Sequence, residues 1–543
     1  NPSRGGFDLS LLDALPIAKA TINGAAGHSL WGPSGTIDVA LRDIDQIEPG
    51  IDTPAMSTRL SLASASWRQK RLSVSVGRRD KNYRLLTKIS YRQGRNDFRF
   101  ADDLARTQQR LNNNNQQLGW ATTFKLPLPG RSRFEFIHYI NGYWRGAPGP
   151  SQRQSITAKQ SDLFSFAGIK LISDHVFYNT DRVSVRLSQR VGQFTFRDQP
   201  APNDVTRPVV NSQGRYHHLD ANLKYEMSAT HFALFTDLLL PASTFISSDT
   251  GQQSRLNPRA SSGISLFDKE KTLFFNAQAG ILSSTDFQTH WVGAATARYS
   301  PTLGSTQLTF ESGWGKSLRY PSFQEQFLRV DGFGGNAELR PEVSNRIDAT
   351  VAVDVGGLSF KTTGYTSKLS NTIITAPVSS FLIRPDNYKD TTIIGVESTL
   401  DYTWLSYLRI RIGYDYLQTA FGQTELRQAD LQLPGRPAHR LRFTVERPIA
   451  TAAAHTFMGM LSALSPWITV NAQSEFYLDR FNSIKEERRA MVSCGLRARL
   501  HTLTVDLSAR NILNKRNAVD RVGFPLAPLS IFAQISVQLG QES

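Results

Sequence analysis

Guanidinium and aromatic groups gather in three stretches of this chain. Arg319, Tyr320, Phe323, Phe327, Arg329 and Phe333 lie close together in one stretch, Trp144 and Arg145 precede Pro148-Gly149 in another, and Arg384, Asn387 and Tyr388 form a third. Guanidinium groups make charge-assisted hydrogen bonds to anions and stack on flat rings, and aromatic faces attract cations and apolar surface. Together they suit an anionic, partly apolar ligand of small to medium size, such as a chelated metal. The competing reading is that Tyr320-Pro321 and Phe323 pack the base of a loop. No histidine occurs between Arg319 and Pro341, which disfavours haem as the ligand of this stretch because an axial nitrogen is missing.

Other reactive residue types are dispersed. The only adjacent histidines, His217-His218, read as polar rim residues at the start of a strand rather than as metal ligands. Asp97, Asp102 and Asp103 are the candidates for a calcium site, but no EF-hand spacing accompanies them and a solvated charge cluster is the preferred reading. No nucleophile is paired with a base in a known signature, so the chain is not read as an enzyme, and no cofactor is expected.

The elements that must carry these loops show a period of two. Leu529, Ile531, Ala533, Ile535, Val537 and Leu539 form one apolar row, with Ser530, Gln534, Ser536 and Gln538 between them. The same alternation runs through Leu72/Val74/Val76, through Leu85/Thr87/Ile89/Tyr91 with Arg84, Lys88 and Arg92 between, and through Leu408/Ile410/Ile412 with Arg409 and Arg411 between. Successive strand residues face opposite sides, so each segment has an oily face and a wet one. Repeated over about 22 segments from residue 57 onward, this predicts an all-β fold, an antiparallel transmembrane β-barrel with lipid outside and water within. Long polar gaps near 93–115, 141–162, 192–215, 240–259, 315–344, 367–390, 418–437 and 512–527 alternate with tight turns such as Pro127-Leu128-Pro129-Gly130 and Gly356-Gly357. That asymmetry predicts long extracellular loops on one rim and short periplasmic turns on the other, hence the bacterial outer membrane. The connection around 449–465 is longer than a periplasmic turn should be.

Composition bounds the alternatives. Hydrophobic residues make up 40% of the chain, and no run approaches the roughly 20 apolar residues of a membrane helix. The net charge of +16 comes from cations interleaved with strand residues, without any nucleic-acid-binding motif, so nucleic acid is excluded as a partner in favour of lipid, lipopolysaccharide or an anionic ligand. The single cysteine, Cys494, sits on the apolar row of its strand and reads as a lipid-facing side chain. The chain does not open on a signal peptide, so a trimmed precursor or a missing amino end is expected.

Residues 1–56 break the dyad pattern. Ile17 to Ile22, a glycine-rich stretch from Gly24 to Gly35, and Thr36 to Leu41 read as strand, turn and strand. With Leu15-Pro16, Gly24, Ser29, Trp31, Gly32 and Ile37-Asp38-Val39, this stretch resembles the second half of the plug of TonB-dependent outer-membrane receptors. Leu318 to Phe327 with Gly335 to Glu342 is similar to that family's receptor loop motif. Asn387-Tyr388 with Gly395-Val396-Glu397, Leu433 to His439 and Arg510-Asn511-Ile512 match further family signatures in order. The resemblance implies a partial plug and linker over 1–56, lodged in the lumen of a barrel over 57–543. It also implies uptake of a scarce siderophore- or cobalamin-type ligand, driven by an inner-membrane energy-transducing protein that pulls on the plug. The chain departs from the pattern at Asn23, at Ser34-Gly35-Thr36 and in ending on Gln541-Glu542-Ser543, and it lacks the coupling box. These departures keep open an alternative, a transport-inactive structural or adhesive barrel within a larger outer-membrane assembly.

Overall fold

The computed structural model describes residues 17–23, 36–41, 55–102, 105–149, 154–200, 209–330, 333–379, 382–388, 390–405, 407–421, 431–450, 461–479, 481–520 and 524–540. Residues 55–540 form one closed barrel of 22 long antiparallel strands, supplemented by a few short strand segments at the rims. Closure is made by the first and last strands, Ala55–Ala65 and Ser530–Leu539, paired with Leu60 opposite Val537 and Ala63 opposite Gln534. Every inner hydrogen-bonding edge is thereby used, the condition for a sheet to cross a bilayer. No helix among the described residues is long and apolar enough to cross a membrane.

Side-chain exposure follows the dyad. Leu62, Ile89, Ile347 and Ile531 on the outer rows are more than half exposed, whereas Ala121, Asp348 and Ser536 on the inner rows are buried. Across neighbouring strands the rows align: Leu60 opposes Val74, which opposes Ile89, which opposes Trp120. These residues make a continuous apolar belt, inverted relative to a soluble core because the solvent outside is lipid. Tyr299, Trp404 and Tyr407 stand exposed beside the short turns, and Trp144 and Trp291 beside the long loops, which places amphipathic rings at both interfaces. Cys494 shares its row with the exposed Leu496 and faces outward as expected.

The tight turns fall where glycine and polar residues place them. Gly130 and Gly356 adopt left-handed φ angles of 71° and 54°, which a glycine reaches without steric cost. The long-loop boundaries differ from those expected. Lys159–Asp174, Asp181–Asp198 and Val210–Ser228 run for 16, 18 and 19 residues, so about half of the gaps expected near 141–162 and 192–215 is strand. A tilted strand needs about 9–11 residues to span the bilayer. Beyond that height both faces are wet, the alternation of apolar and polar residues fades, and the ladder continues without its sequence signal. For the same reason His217-His218 lies well inside Val210–Ser228 rather than opening it, and His218 is buried in the lumen.

At the amino end, Ile17–Asn23 pairs antiparallel with Thr36–Leu41, Asn23 opposite Thr36, as the strand-turn-strand reading predicts. Gly24, Ser29, Trp31 and Gly32 lie outside the described residues, as does part of the connection near 449–465.

Candidate functional site

The strand Thr306–Arg319 ends at the outer rim, where Tyr320-Pro321 breaks the ladder and a one-turn helix, Phe323–Phe327, begins. Ser322 and Glu325 form a capping box: Ser322 Oγ accepts from the Glu325 N–H at 3.2 Å, and the Glu325 carboxylate accepts from the Ser322 N–H at 2.8 Å. Arg319 Nη1 donates to both Glu325 oxygens, at 3.1 and 3.0 Å, and its Nε lies 3.8 Å from Glu342. This guanidinium therefore holds the helix against the wall.

A second arginine holds it from the other side. Arg255, from the hairpin segment Gly251–Leu256, is buried; its Nε pairs with Asp286 at 2.7 Å, Nη1 donates to the Pro321 carbonyl at 2.7 Å, and Nη2 donates to Gln326 Oε1 at 2.5 Å. Its guanidinium is centred 5.0 Å from the Phe287 ring and 4.8 Å from the Phe323 ring. Phe323 stacks on Phe245, which stacks on Phe194, with centroids 5.9 and 6.2 Å apart, so an aromatic strip runs from the helix across the neighbouring wall strands.

Beneath the helix lies a cavity of about 360 Å³, and its lining includes Arg186, Arg190, Arg255, Arg259 and Arg319 with one carboxylate, Asp220. Asp220 is committed to the wall, accepting from Arg190 Nη2 and Ser188 Oγ at 3.2 Å each and facing His218 Nε2 at 2.8 Å. His218 Nδ1 lies 2.6 Å from Ser243 Oγ. Ser243, His218 and Asp220 are thus in line, Asp220 shares its charge with Arg190, and the contacts tie three neighbouring strands together. Arg186 makes no ion pair with a described residue and is exposed to the lumen. Tyr320 stacks on Phe287 at 5.4 Å with its hydroxyl buried and lacking a hydrogen-bond partner among the described residues. Burial pushes its phenol above the ordinary value, against the pull of Arg259 and Arg255.

The expected site residues separate into groups. Arg319 and Tyr320 line the cavity, and Phe327 packs against Phe323. Arg329 and Phe333 lie on a short hairpin, Arg329–Val330 with Phe333–Gly334, that joins Leu382–Tyr388 and Thr372–Ser379 in a four-stranded sheet above the rim. Arg329 is exposed there. Arg384 pairs with Asp386 at 3.0 Å, and Tyr388 is buried against Ile374 and Leu433. Trp144 and Arg145 both lie in the strand Ser132–Gly146 and so face opposite ways. Trp144 faces outward, whereas Arg145 turns inward and donates to Gln160 Oε1 at 2.8 Å. Asp102 accepts from the Arg106 backbone at 2.8 Å and from Gln108 at 2.6 Å, which fixes a turn, while Asp103 is outside the described residues. No group of three His, Cys, Asp or Glu among the described residues is placed to hold a metal. Arg186, Arg190, Arg255 and Arg259 were not singled out from the sequence, and His218 was read there only as a polar rim residue. For Arg186 and Arg190 the signal is their place on the inward row of a dyad, on either side of Ser188.

A family model described as TonB dependent receptor-like, beta-barrel, matches residues 21–512. Among solved structures, the copper transporter OprC is 13% identical with a TM-score of 0.75, over 96% of this chain and 86% of its own. The FrpB iron transporter from Neisseria meningitidis (F5-1 variant) is 11% identical with a TM-score of 0.76, over 97% and 89%. The siderophore receptor PirA from Pseudomonas aeruginosa is 10% identical with a TM-score of 0.67, over 95% and 85%. Identities this low carry the fold alone. No curated protein matches the sequence.

Proposed function

The chain belongs to the TonB-dependent receptor family of the outer membrane, and from that premise we propose that it captures a scarce, anionic, partly aromatic or apolar ligand of the metal-chelate class for active uptake. The observation that carries this reading is the arginine-lined cavity beneath the Phe323–Phe327 helix, reached along an aromatic strip. Arg190, Arg255 and Arg319 are paired with Asp220, Asp286 and Glu325, yet five guanidinium groups line the cavity against one lining carboxylate, and low-dielectric walls focus the remaining positive charge on the opening. The outer hairpin bearing Arg329 and Phe333 offers first contact, and Arg186, without an ion-pair partner among the described residues, offers a guanidinium deeper in the lumen. The names of OprC, FrpB and PirA as copper, iron and siderophore proteins support the metal-chelate class. In this reading residues 1–56 act as a plug that blocks passive flow, and an inner-membrane energy-transducing partner opens the path by pulling on it, as the family implies.

Ferric chelates, cobalamins and acidic oligosaccharides titrated against the purified barrel test the proposal. Arg329→Ala and Arg186→Ala are each expected to weaken the bound member by about 1.5–3 kcal/mol, the range for a hydrogen bond to a charged group, with the barrel's thermal stability unchanged. Failure of every chelate to bind a folded wild-type barrel turns the assignment to the structural alternative. Deletion of residues 1–54 tests the plug separately, with an expected rise in single-channel conductance.

A further inference from the structure

The outer surface carries a charged patch that the lumen site does not use. Five strands, Ser132–Gly146, Lys159–Asp174, Asp181–Asp198, Val210–Ser228 and Phe232–Ser247, stand side by side in the wall. Low on their outward rows, Ile169, Leu187, Leu223 and Leu238 are exposed and belong to the apolar belt. Above the belt the same rows turn polar without turning acidic. Trp144 marks the extracellular interface, and Ser161 lies opposite it. Two residues further out on the strand of Ser161, Lys159 lies directly opposite Arg197, and Arg197 lies opposite Asn211. Arg215, four residues below Asn211, lies opposite Gln193, which in turn lies opposite Leu163, the uppermost apolar residue of its row.

Lys159, Arg197 and Arg215 are all exposed, and none has an ion pair or hydrogen bond with a described residue. The carboxylates closest to them along these strands, Asp162, Asp198 and Asp220, stand on the inward rows and are buried. Among the described residues, the outward rows of the five strands hold no carboxylate above the belt. Like charges directly opposite in a ladder repel, and an anion that bridges Lys159 and Arg197 turns that repulsion into attraction. Four strand residues span about 13 Å, so one multiply phosphorylated headgroup can touch all three flexible cations. The exposed amides of Asn211 and Gln193 between them suit sugar hydroxyls.

We propose that this patch binds the phosphorylated sugar headgroup of the outer-leaflet glycolipid, lipopolysaccharide, with the acyl chains lying on the belt beneath. Charge complementarity and continuity with the lipid-facing belt both select that occupant, because a soluble anion would use the cations but not the belt. A second copy of the chain would set this cationic patch against itself in a two-fold contact. The height of the strands acquires a purpose in this assignment: their extra length carries the cations past the hydrocarbon to the level of the headgroups. Arg190 and His218 of the lumen site lie on the opposite face of the same strands, so uptake of a ligand and binding of the glycolipid can fail independently.

Native mass spectrometry of the full chain in detergent micelles, titrated with a diphosphorylated lipopolysaccharide in EDTA to remove bridging divalent cations, tests the assignment. The wild type retains the glycolipid, and its dephosphorylated form binds at least about ten-fold more weakly. Lys159→Gln, Arg197→Gln and Arg215→Gln each weaken binding by about five-fold, the effect of one cation at a charged membrane surface, and the three together by about 100-fold. Lys269→Gln, exposed on a periplasmic turn, leaves binding unchanged, as does excess inorganic phosphate. The single variants decide the matter should the triple variant not fold. Equal binding of the two glycolipid forms, or cation variants that bind like the wild type, overturns the proposal. Competition by inorganic phosphate, or equally tight binding of phosphatidylglycerol, overturns the choice of glycolipid, and a wild-type dimer that the triple variant dissolves makes a second copy the occupant instead.

Discussion

Ile535→Arg lowers the stability of the folded barrel by about 2–4 kcal/mol, whereas Gln534→Arg, one residue away, changes it little. Ile535 stands on the outer face of the last strand, half exposed, with Leu62 and Val505 directly opposite it on the two neighbouring strands. A guanidinium placed there must either enter hydrocarbon or draw water and headgroups toward the midplane. Gln534 faces the lumen, where its amide donates to Ser536 Oγ at 3.1 Å and Asp506, paired with Arg497, is its cross-strand neighbour, so an arginine at 534 stays in water beside an existing ion pair. Equilibrium unfolding in urea from phospholipid vesicles measures both variants. Equal costs would mean that the apolar rows are packed against protein rather than lipid, and the membrane orientation would have to be abandoned.

The contrast between those neighbours is legible in the sequence, because a period of two is read directly from residue types. Strand existence, the tight turns at Gly130 and Gly356, and the outward placement of Cys494 all follow from it. The rim was not legible, since strands such as Val210–Ser228 rise beyond the bilayer into water, where nothing selects an apolar face. Trp144 and Arg145 show the consequence: read as loop neighbours they share a site, but as strand neighbours they point apart. The cavity was half legible. Arg319 and Tyr320 stand in a recognisable loop motif, but Arg186, Arg190, Arg255 and Arg259 reach the same space from other strands and loops. Arg255 meets Gln326 across 71 positions of sequence. Convergence at that distance is set by barrel register, which local sequence patterns do not encode.

Arg255→Leu detaches the Phe323–Phe327 helix from the rim and with it the roof of the cavity. The side chain is 4% exposed, and it supplies three donors to three separate segments, at Asp286, Pro321 and Gln326, while lying between two phenyl faces. Leucine fills much of the volume but leaves the Pro321 carbonyl and the Gln326 amide oxygen facing hydrocarbon, each at the cost of an unsatisfied buried acceptor. Removing one partner of a buried ion pair costs about 3–5 kcal/mol. Asp286 keeps partial contact with water, which favours the lower end, about 3 kcal/mol. That loss is local, because the strand ladder beneath does not depend on the helix. Exchange across 320–341 is therefore expected to speed by about 100-fold while the wall strands stay protected, with ligand affinity falling by a similar factor. Arg319→Gln makes the informative comparison: it loses the Glu325 ion pair but keeps a hydrogen-bond donor beside the capping box, and it should loosen the same segment less. Unchanged exchange across 320–341 in Arg255→Leu would show that the capping box and the Arg319 pair hold the roof unaided, and that the stacked cation contributes only to the charge of the cavity.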